Sequence, residues 1–291
     1  VKNKKACNVF IEDNLWDSKR GVDFNRSPIR YPGGKTRAVP TVLSIIPSDV
    51  NHVVSPFLGG GSVEVALSDY GVAVQGYDVF DRLVNFWQCL LARPKYLASK
   101  LDKYLPGSRE LFYTLRENRF RAGYTSAAEF IFVNRCSFSG LTYSGGYSAS
   151  SNKQKFTPKY IDFLRNYRSS LAVARESFDA TIKMHKKTFL YLDPPYLLSK
   201  SNNKLYGQKG STHNEFDHDL LKKCLKKHKG AWVMSYNNDP AVHDLYADYQ
   251  RVECGWGYSM RIGKDTLGKK KGEKRELLIF SPNYPEVLFR D

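Results

Sequence analysis

The stretch Thr188-Phe189-Leu190-Tyr191-Leu192-Asp193-Pro194-Pro195-Tyr196 decides the fold. Residues 188–192 are strand-favouring and show no polar alternation, the pattern of a strand buried on both faces of a parallel sheet. Asp193 then places a carboxylate just past the strand's C-terminal tip, where such sheets present their ligands. The two prolines fix φ and remove two backbone donors, so the carbonyls of Asp193 and Pro194 are left to point at a ligand as acceptors. An exocyclic amino group on a planar base has two hydrogens to donate to such acceptors, and the Tyr196 ring offers a stacking face. A proline-rich turn with Tyr196 covering an edge would give the same four residues, so the rest of the chain has to decide.

Upstream, residues 51–57 read as a strand, followed by Leu58-Gly59-Gly60-Gly61-Ser62 and an apolar helix over 63–70. A second strand, 72–77, ends at Asp78 and leads into a helix over 83–91, which completes a βαβ unit with its glycines in the first turn. Before it, Tyr31-Pro32-Gly33-Gly34-Lys35 forms a turn ahead of a helix over 36–46, whose Val39, Val42, Leu43 and Ile46 share one face. Downstream lie a polar loop, 199–214, a helix over 218–227, a strand over 231–236 and a helix over 240–246. The final hairpin is expected from strands 256–262 and 276–280 joined by the basic loop 263–275.

This alternation predicts a doubly wound α/β domain assembled from residues 26–105 and 185–291. Residues 106–184 differ in texture. Arg109, Arg116, Arg119, Arg121, Arg135, Arg165, Arg168 and Arg175 are interleaved with aromatics, and the Ser/Gly/Tyr-rich run 137–151 is no packed helix, so the segment reads as an insertion with its own surface role. Residues 1–25 are polar and read as a loosely docked arm.

Over 291 residues, 45 Lys and Arg against 29 Asp and Glu give a net charge of +16, which favours a polyanionic partner. No apolar run approaches the roughly 20 residues that span a bilayer, which argues against a membrane protein. The basic residues 1–5 lack the apolar segment of a secretory signal, so a cytoplasmic location is expected. Five scattered cysteines include no C-x-x-C pair, so neither a zinc site nor a disulfide framework is expected, and the six dispersed histidines add no metal site.

Gly59, Gly60 and Gly61 let the backbone approach a ligand and place N–H groups at a helix start. Asp78, at the next strand's tip, can accept ribose hydroxyls. Glycine turns followed by an acid also occur in dehydrogenases, but the spacing is not G-x-G-x-x-G, which counts against a dinucleotide. Lys35 offers a cation for a carboxylate and Tyr31 a face for a purine. Adenine, ribose and an amino-acid carboxylate together describe S-adenosylmethionine. No Walker spacing surrounds Lys35, so a triphosphate fits less well.

The order of the pieces is informative. Arg30-Tyr31-Pro32-Gly33-Gly34-Lys35, Ser55-Pro56-Phe57-Leu58-Gly59-Gly60-Gly61-Ser62, Asp78, Asn134-Arg135-Cys136-Ser137-Phe138-Ser139-Gly140-Leu141 and Asp193-Pro194-Pro195-Tyr196 resemble, in this order, the Dam-like (alpha-group, D12 class) adenine-specific DNA N6-methyltransferases. The resemblance extends from about residue 27 to residue 281. It implies a seven-stranded Rossmann-like methyltransferase sheet with an inserted, mainly helical target-recognition domain at 106–184. It also implies S-adenosylmethionine held by Tyr31, Lys35, Phe57, Gly59, Gly60, Gly61, Ser62, Asp78 and Asp193, and catalysis by Asp193, Pro194 and Tyr196. The family often carries glutamate where Ser55 stands, so a contact to the cofactor's amino group is lost or supplied elsewhere. It often carries asparagine where Ser139 stands, which bears on the details of DNA contact.

For DNA contact the candidates are Arg116, Arg119, Arg121, Asn134 and Arg135. Lys264, Lys269, Lys270, Lys271, Lys274 and Arg275 are candidates for phosphate contacts, although such a charge run also suits a solvated hairpin tip. Tyr143 and Tyr147 are candidates to fill the gap left by a flipped base, or are surface tyrosines. The expected partner is double-stranded DNA, with a cognate restriction endonuclease as a further candidate. Three rival readings remain open: an RNA adenine methyltransferase, a protein-glutamine methyltransferase, in which asparagine usually replaces the aspartate, and a non-catalytic DNA-binding subunit with a vestigial pocket.

Overall fold

The computed structural model describes residues 9–18, 23–197, 216–255 and 276–289. In chain order the elements are β1 (Val9–Phe10), α1 (Leu15–Ser18), α2 (Val39–Leu43), β2 (His52–Ser55), α3 (Ser62–Asp69), β3 (Ala73–Asp78), α4 (Asp81–Ala92) and α5 (Pro94–Asp102). Next come α6 (Arg109–Glu117), α7 (Tyr124–Cys136), α8 (Ala149–Lys155), α9 (Pro158–Arg165), β4 (Ala172–Arg175), α10 (Phe178–Met184) and β5 (Phe189–Leu192). The chain continues through α11 (His218–Lys227), β6 (Trp232–Asn237), α12 (Pro240–Leu245), β7 (Gln250–Cys254), β8 (Glu276–Phe280) and β9 (Leu288–Phe289).

Seven strands form one sheet in the order β4-β3-β2-β5-β6-β8-β7. Pairing is parallel from β4 to β6, and β8 runs antiparallel to both of its neighbours. The period of two in strand side chains shows in β5. Phe189 and Tyr191 enter the core on one face, while Leu190 and Leu192 enter the core on the other. Both faces are thus covered, which is why this strand is apolar without alternation. The strand order reverses between β2 and β5, which run parallel in the register Val53↔Phe189 and Val54↔Leu190. The glycine turn after β2 and Asp193 after β5 therefore emerge side by side at the switch point.

The insertion is organised around α7, whose residues are buried almost all round, as expected of a helix enclosed by neighbours. Phe130 of α7 packs against Phe86 of α4 at 5.6 Å, and both belong to the core cluster that fills one face of the sheet. The segment thus shares its core with the sheet domain. Its C-terminal boundary also moves: Ala172–Arg175, placed in the insertion by composition, is β4 and pairs in parallel with β3. Four residues of mixed exposure carry too little pattern to announce a strand.

The arm is better anchored than its polar composition suggests. Val9, Ile11 and Leu15 are buried, β1 pairs with β9, and the Ile11 and Leu15 N–H groups donate to the Ser44 and Ile46 carbonyls. The last hairpin is made by β7 and β8, so its first strand lies at 250–254; residues 256–262 lie outside the described set, as do Lys264, Lys269, Lys270, Lys271, Lys274 and Arg275. Cys254 is disulfide-bonded, against the expectation from spacing, while Cys89, Cys136 and Cys224 are free. No helix among the described residues is long and apolar enough to cross a membrane.

Candidate active site

A cleft of about 540 Å3 opens at the switch point and brings together Tyr31, Lys35, Phe57, Gly59, Gly60, Gly61, Ser62, Asp78, Asp193, Pro194 and Tyr196. At the glycine turn, Gly59 and Gly61 have φ of +47° and +64°. A Cβ on Gly61 would stand 2.7 Å from the Trp87 ring, and one on Gly60 would stand 2.8 Å from Tyr31 Cβ. The turn is thus closely packed on its inner side. The Gly59 N–H donates to Asp78 Oδ2 at 3.0 Å and the Phe80 N–H to Oδ1 at 2.9 Å. Burial raises the Asp78 pKa and these backbone donors pull it back. Each oxygen retains a lone pair for a further hydroxyl donor.

An aromatic wall stands beside this turn. Phe57 stacks on Phe178 at 5.6 Å and meets Phe216 edge-on at 5.6 Å. Phe178 and Phe216 are site residues that sequence reasoning missed, because each lies in a segment whose place beside β2 only the sheet order reveals.

At the other end, Lys35 Nζ donates to Asp193 Oδ1 at 2.7 Å, to the Tyr196 hydroxyl at 2.6 Å and to the Gly33 carbonyl at 3.1 Å. An ammonium has three hydrogens, so all are committed here. Lys35 fixes Asp193 and Tyr196 in this geometry, where sequence reading expected it to grip a ligand carboxylate. Burial would lower its pKa, but the facing carboxylates of Asp193 and Glu276 outweigh burial and hold it above the ordinary lysine range. The Tyr196 hydroxyl donates to Glu276, its oxygens at 2.6 and 2.7 Å, and the ring stacks on Tyr236 at 5.9 Å. One face of Tyr196 is thus taken up by the protein. Glu276 is 1% exposed, and burial pushes its pKa up to about 7 against the pull of Lys35.

Asp193 is held at one oxygen. Oδ1 accepts from Lys35 and, at 3.1 Å, from Ser235 on β6. Oδ2 accepts no bond from a described residue, nor does the Pro194 carbonyl, and the Asp193 side chain is 25% exposed. Among the described residues the strand tip therefore leaves two acceptors with lone pairs to spare. Glu276 and Ser235 went unnoticed in the sequence because they read as ordinary strand residues; only pairing of β6 with β5 and β8 aims them here.

The expected DNA contacts divide. Asn134 is fully buried and acts as a clamp: its Oδ1 accepts from the Arg30 N–H at 3.1 Å, and its Nδ2 donates to the Arg30 carbonyl at 2.7 Å and to Thr142 Oγ1 at 2.9 Å. It joins α7 to the segment that carries Tyr31, and no group remains for a base. Asn134→Ala should therefore lower stability by about 2–4 kcal/mol in urea denaturation, through buried partners left unpaired. A shift within about 0.5 kcal/mol, typical of exposed sites, would contradict the clamp.

Tyr143 is 5% exposed and accepts from Arg82 Nη1 at 3.1 Å, so it lines the cleft from within instead of standing on the surface. Arg116 donates to the Tyr143 carbonyl at 2.7 Å, and Arg135 donates to the Lys155 carbonyl and lies over the Tyr160 ring at 3.9 Å. Tyr147 is half-buried against Phe112. Arg119 and Arg121 are exposed. Phe138, singled out only as part of a motif, is 63% exposed in the same loop, where Ser139 has φ of +53°.

A seven-stranded, mostly parallel sheet with its cleft at the switch point is consistent with the Rossmann-like methyltransferase fold. The model of the D12 class N6 adenine-specific DNA methyltransferase family matches residues 31–260, and the chain belongs to that family. It is an adenine-specific DNA methyltransferase. Among relatives, it is 24% identical over 244 residues to the Type II methyltransferase M1.LlaDCHI of Lactococcus lactis subsp. cremoris, covering 76% of this chain and 84% of that protein. It is 20% identical over 249 residues to the Type II methyltransferase M.CviBI of Paramecium bursaria Chlorella virus NC1A, covering 82% and 94%. It is also 25% identical over 248 residues to the DNA N-6-adenine-methyltransferase of Escherichia phage P1, covering 79% of this chain and 32% of that longer protein.

Proposed function

We propose that the chain transfers a methyl group directly from S-adenosylmethionine to N6 of an adenine flipped out of duplex DNA. The observation that carries this reading is the pair of acceptors, Asp193 Oδ2 and the Pro194 carbonyl, in one cleft with the glycine turn and Asp78. The residues suit the cofactor: aromatic Phe57, Phe178 and Phe216 for a purine, Asp78 for ribose hydroxyls, and a close-packed turn at Gly59, Gly60 and Gly61 for the chain beyond. Tyr31 and Ser62 complete that wall. When bound, S-adenosylmethionine supplies an electrophilic methyl group on a sulfonium.

The amino nitrogen of adenine is a weak nucleophile because its lone pair is shared with the ring. Asp193 Oδ2 accepts one of its hydrogens and the Pro194 carbonyl the other, which localises that lone pair; as the N–CH3 bond forms and the S–CH3 bond breaks to leave a thioether, N6 releases the proton held by Asp193, which passes it to solvent. Lys35 and Ser235 hold the carboxylate still, so little reorganisation accompanies reaction. A base inside a duplex cannot reach this cleft, hence the flipping. Arg119, Arg121 and the basic loop carrying Lys269, Lys270 and Lys271 are assigned to the phosphates. Phe138 is the exposed aromatic of its loop and a better gap-filler than buried Tyr143. The Type II names of two relatives favour a role in restriction and modification, beside a cognate endonuclease.

Purified protein should incorporate labelled methyl from S-adenosylmethionine into duplex DNA, and 2-aminopurine at the target position should brighten on binding as it leaves the stack. Equal methylation of structured RNA of the same sequence would favour the RNA reading. Cofactor binding without transfer to either would favour the non-catalytic one.

A further inference from the structure

Glu64 is the third residue of α3, directly after the glycine turn, and it lines the cleft while only 3% exposed. Its Oε1 accepts from Ser55 Oγ at 2.6 Å, and no ion pair reaches it among the described residues. Lys35, the nearby cation, has given its hydrogens to Asp193, Tyr196 and Gly33. A carboxyl buried this deeply, in a cavity wall, with a neutral hydroxyl as its side-chain partner, is the half of an ion pair that a bound cation would complete.

The groups that bear on Glu64 are few. Ser55 comes from β2, Lys35 from the turn before α2, Tyr191 from β5 and Asp193 from its tip; Glu276 on β8 lies behind Lys35. Two acids, Glu64 and Asp193, thus line this end of the cleft with a third, Glu276, behind, and the one lysine pairs with Asp193 and Glu276. An ammonium is the charge this end lacks.

We propose that Glu64, steadied by Ser55, receives the α-ammonium of the methyl donor's amino-acid end. This rests on the S-adenosylmethionine reading and adds a division of labour to it. Two amines enter the cleft, one on the cofactor and one on the base, and each meets its own acid: Glu64 for the first and Asp193 for the second. The carboxylate expected at position 55 is replaced by a serine there and an acid nine residues on, joined by a hydrogen bond. Burial pushes the Glu64 pKa up to about 7, eased by Ser55, so an ammonium ligand gains a counter-charge as pH rises through that value.

The test compares two ligands by calorimetry, S-adenosylmethionine and 5′-methylthioadenosine, which keeps the adenosine and sulfur but lacks the amino acid. Glu64→Gln should weaken S-adenosylmethionine by about 10- to 100-fold and leave 5′-methylthioadenosine within about twofold. In the unaltered protein the affinity ratio of the two ligands should rise between pH 6 and 7, below the range in which the ligand's own α-ammonium loses its proton, a readout that needs no variant. Equal weakening of both ligands together with a flat ratio would mean that Glu64 serves packing alone and would overturn the proposal, as would unchanged affinity for both. Failure of the unaltered protein to bind either ligand would instead remove the cofactor reading itself.

Discussion

Asp193→Asn lowers single-turnover methyl transfer by about 10³-fold or more while DNA affinity stays within a few-fold; this is the largest expected effect on activity. The substitution keeps volume and shape, so the packing of the strand tip survives. What changes is hydrogen-bond direction. If the new amide turns its nitrogen toward Lys35, two donors face each other where a 2.7 Å charge-assisted bond stood. If it turns its nitrogen toward the cleft, a donor meets the donating amine of the base. Neither orientation restores both the anchor and the acceptor. Arg119 and Arg121, assigned to DNA, are exposed and do not line the cleft, so anisotropy with labelled duplex should read nearly unchanged binding. Turnover within tenfold of the unaltered protein would remove Asp193 from its role.

The second large effect is on stability. Lys35→Met leaves Glu276, 1% exposed, and Asp193 without the cation they share, and breaking a buried pair in this way costs about 3–5 kcal/mol. The lower end is expected, since Asp193 is a quarter exposed and water screens it. The sign of the pH dependence follows from Glu276. Its folded-state pKa, about 7, lies above the ordinary 4.5, so its contribution to stability is full below about pH 4.5 and is lost as pH rises through 7. Without the ammonium that loss deepens, because ionised Glu276 then has no counter-charge. Urea denaturation at pH 6 and pH 8 should show a wider gap between the variant and the unaltered protein at pH 8. An equal gap at both would mean that the methionine fails for reasons of packing rather than charge.

Much of this site is legible in the sequence because it is written in local strings. A strand that is apolar on both faces, a glycine turn and an acid at the next strand's tip each declare themselves within ten residues, and each stands in the cleft. What the strings do not carry is pairing between distant segments. Glu276 meets Tyr196 and Lys35 only because β8 inserts antiparallel beside β6, and nothing near residue 276 encodes that neighbour. Asn134 shows the complementary limit. A polar residue in a basic, aromatic segment looks like a base reader, and burial decides otherwise: all its bonds turn inward, to Arg30, Gly140 and Thr142. Lys35, expected to face a ligand carboxylate, has its three hydrogens on protein atoms, which no string around residue 35 announces.

The seam between α4 and α7 bears on attempts to re-engineer sequence preference by exchange of parts. Phe130 rests on Phe86, and Phe80 meets both Phe130 and Tyr143, so the two segments meet along a row of interlocking rings. A chimaera cut at the ends of the helical stretch would bring foreign side chains onto Phe80 and Phe86, a few residues beyond Asp78. Grafts that carry the matching face of α4 with them keep that joint, and the cleft wall at Asp78 beneath it, intact.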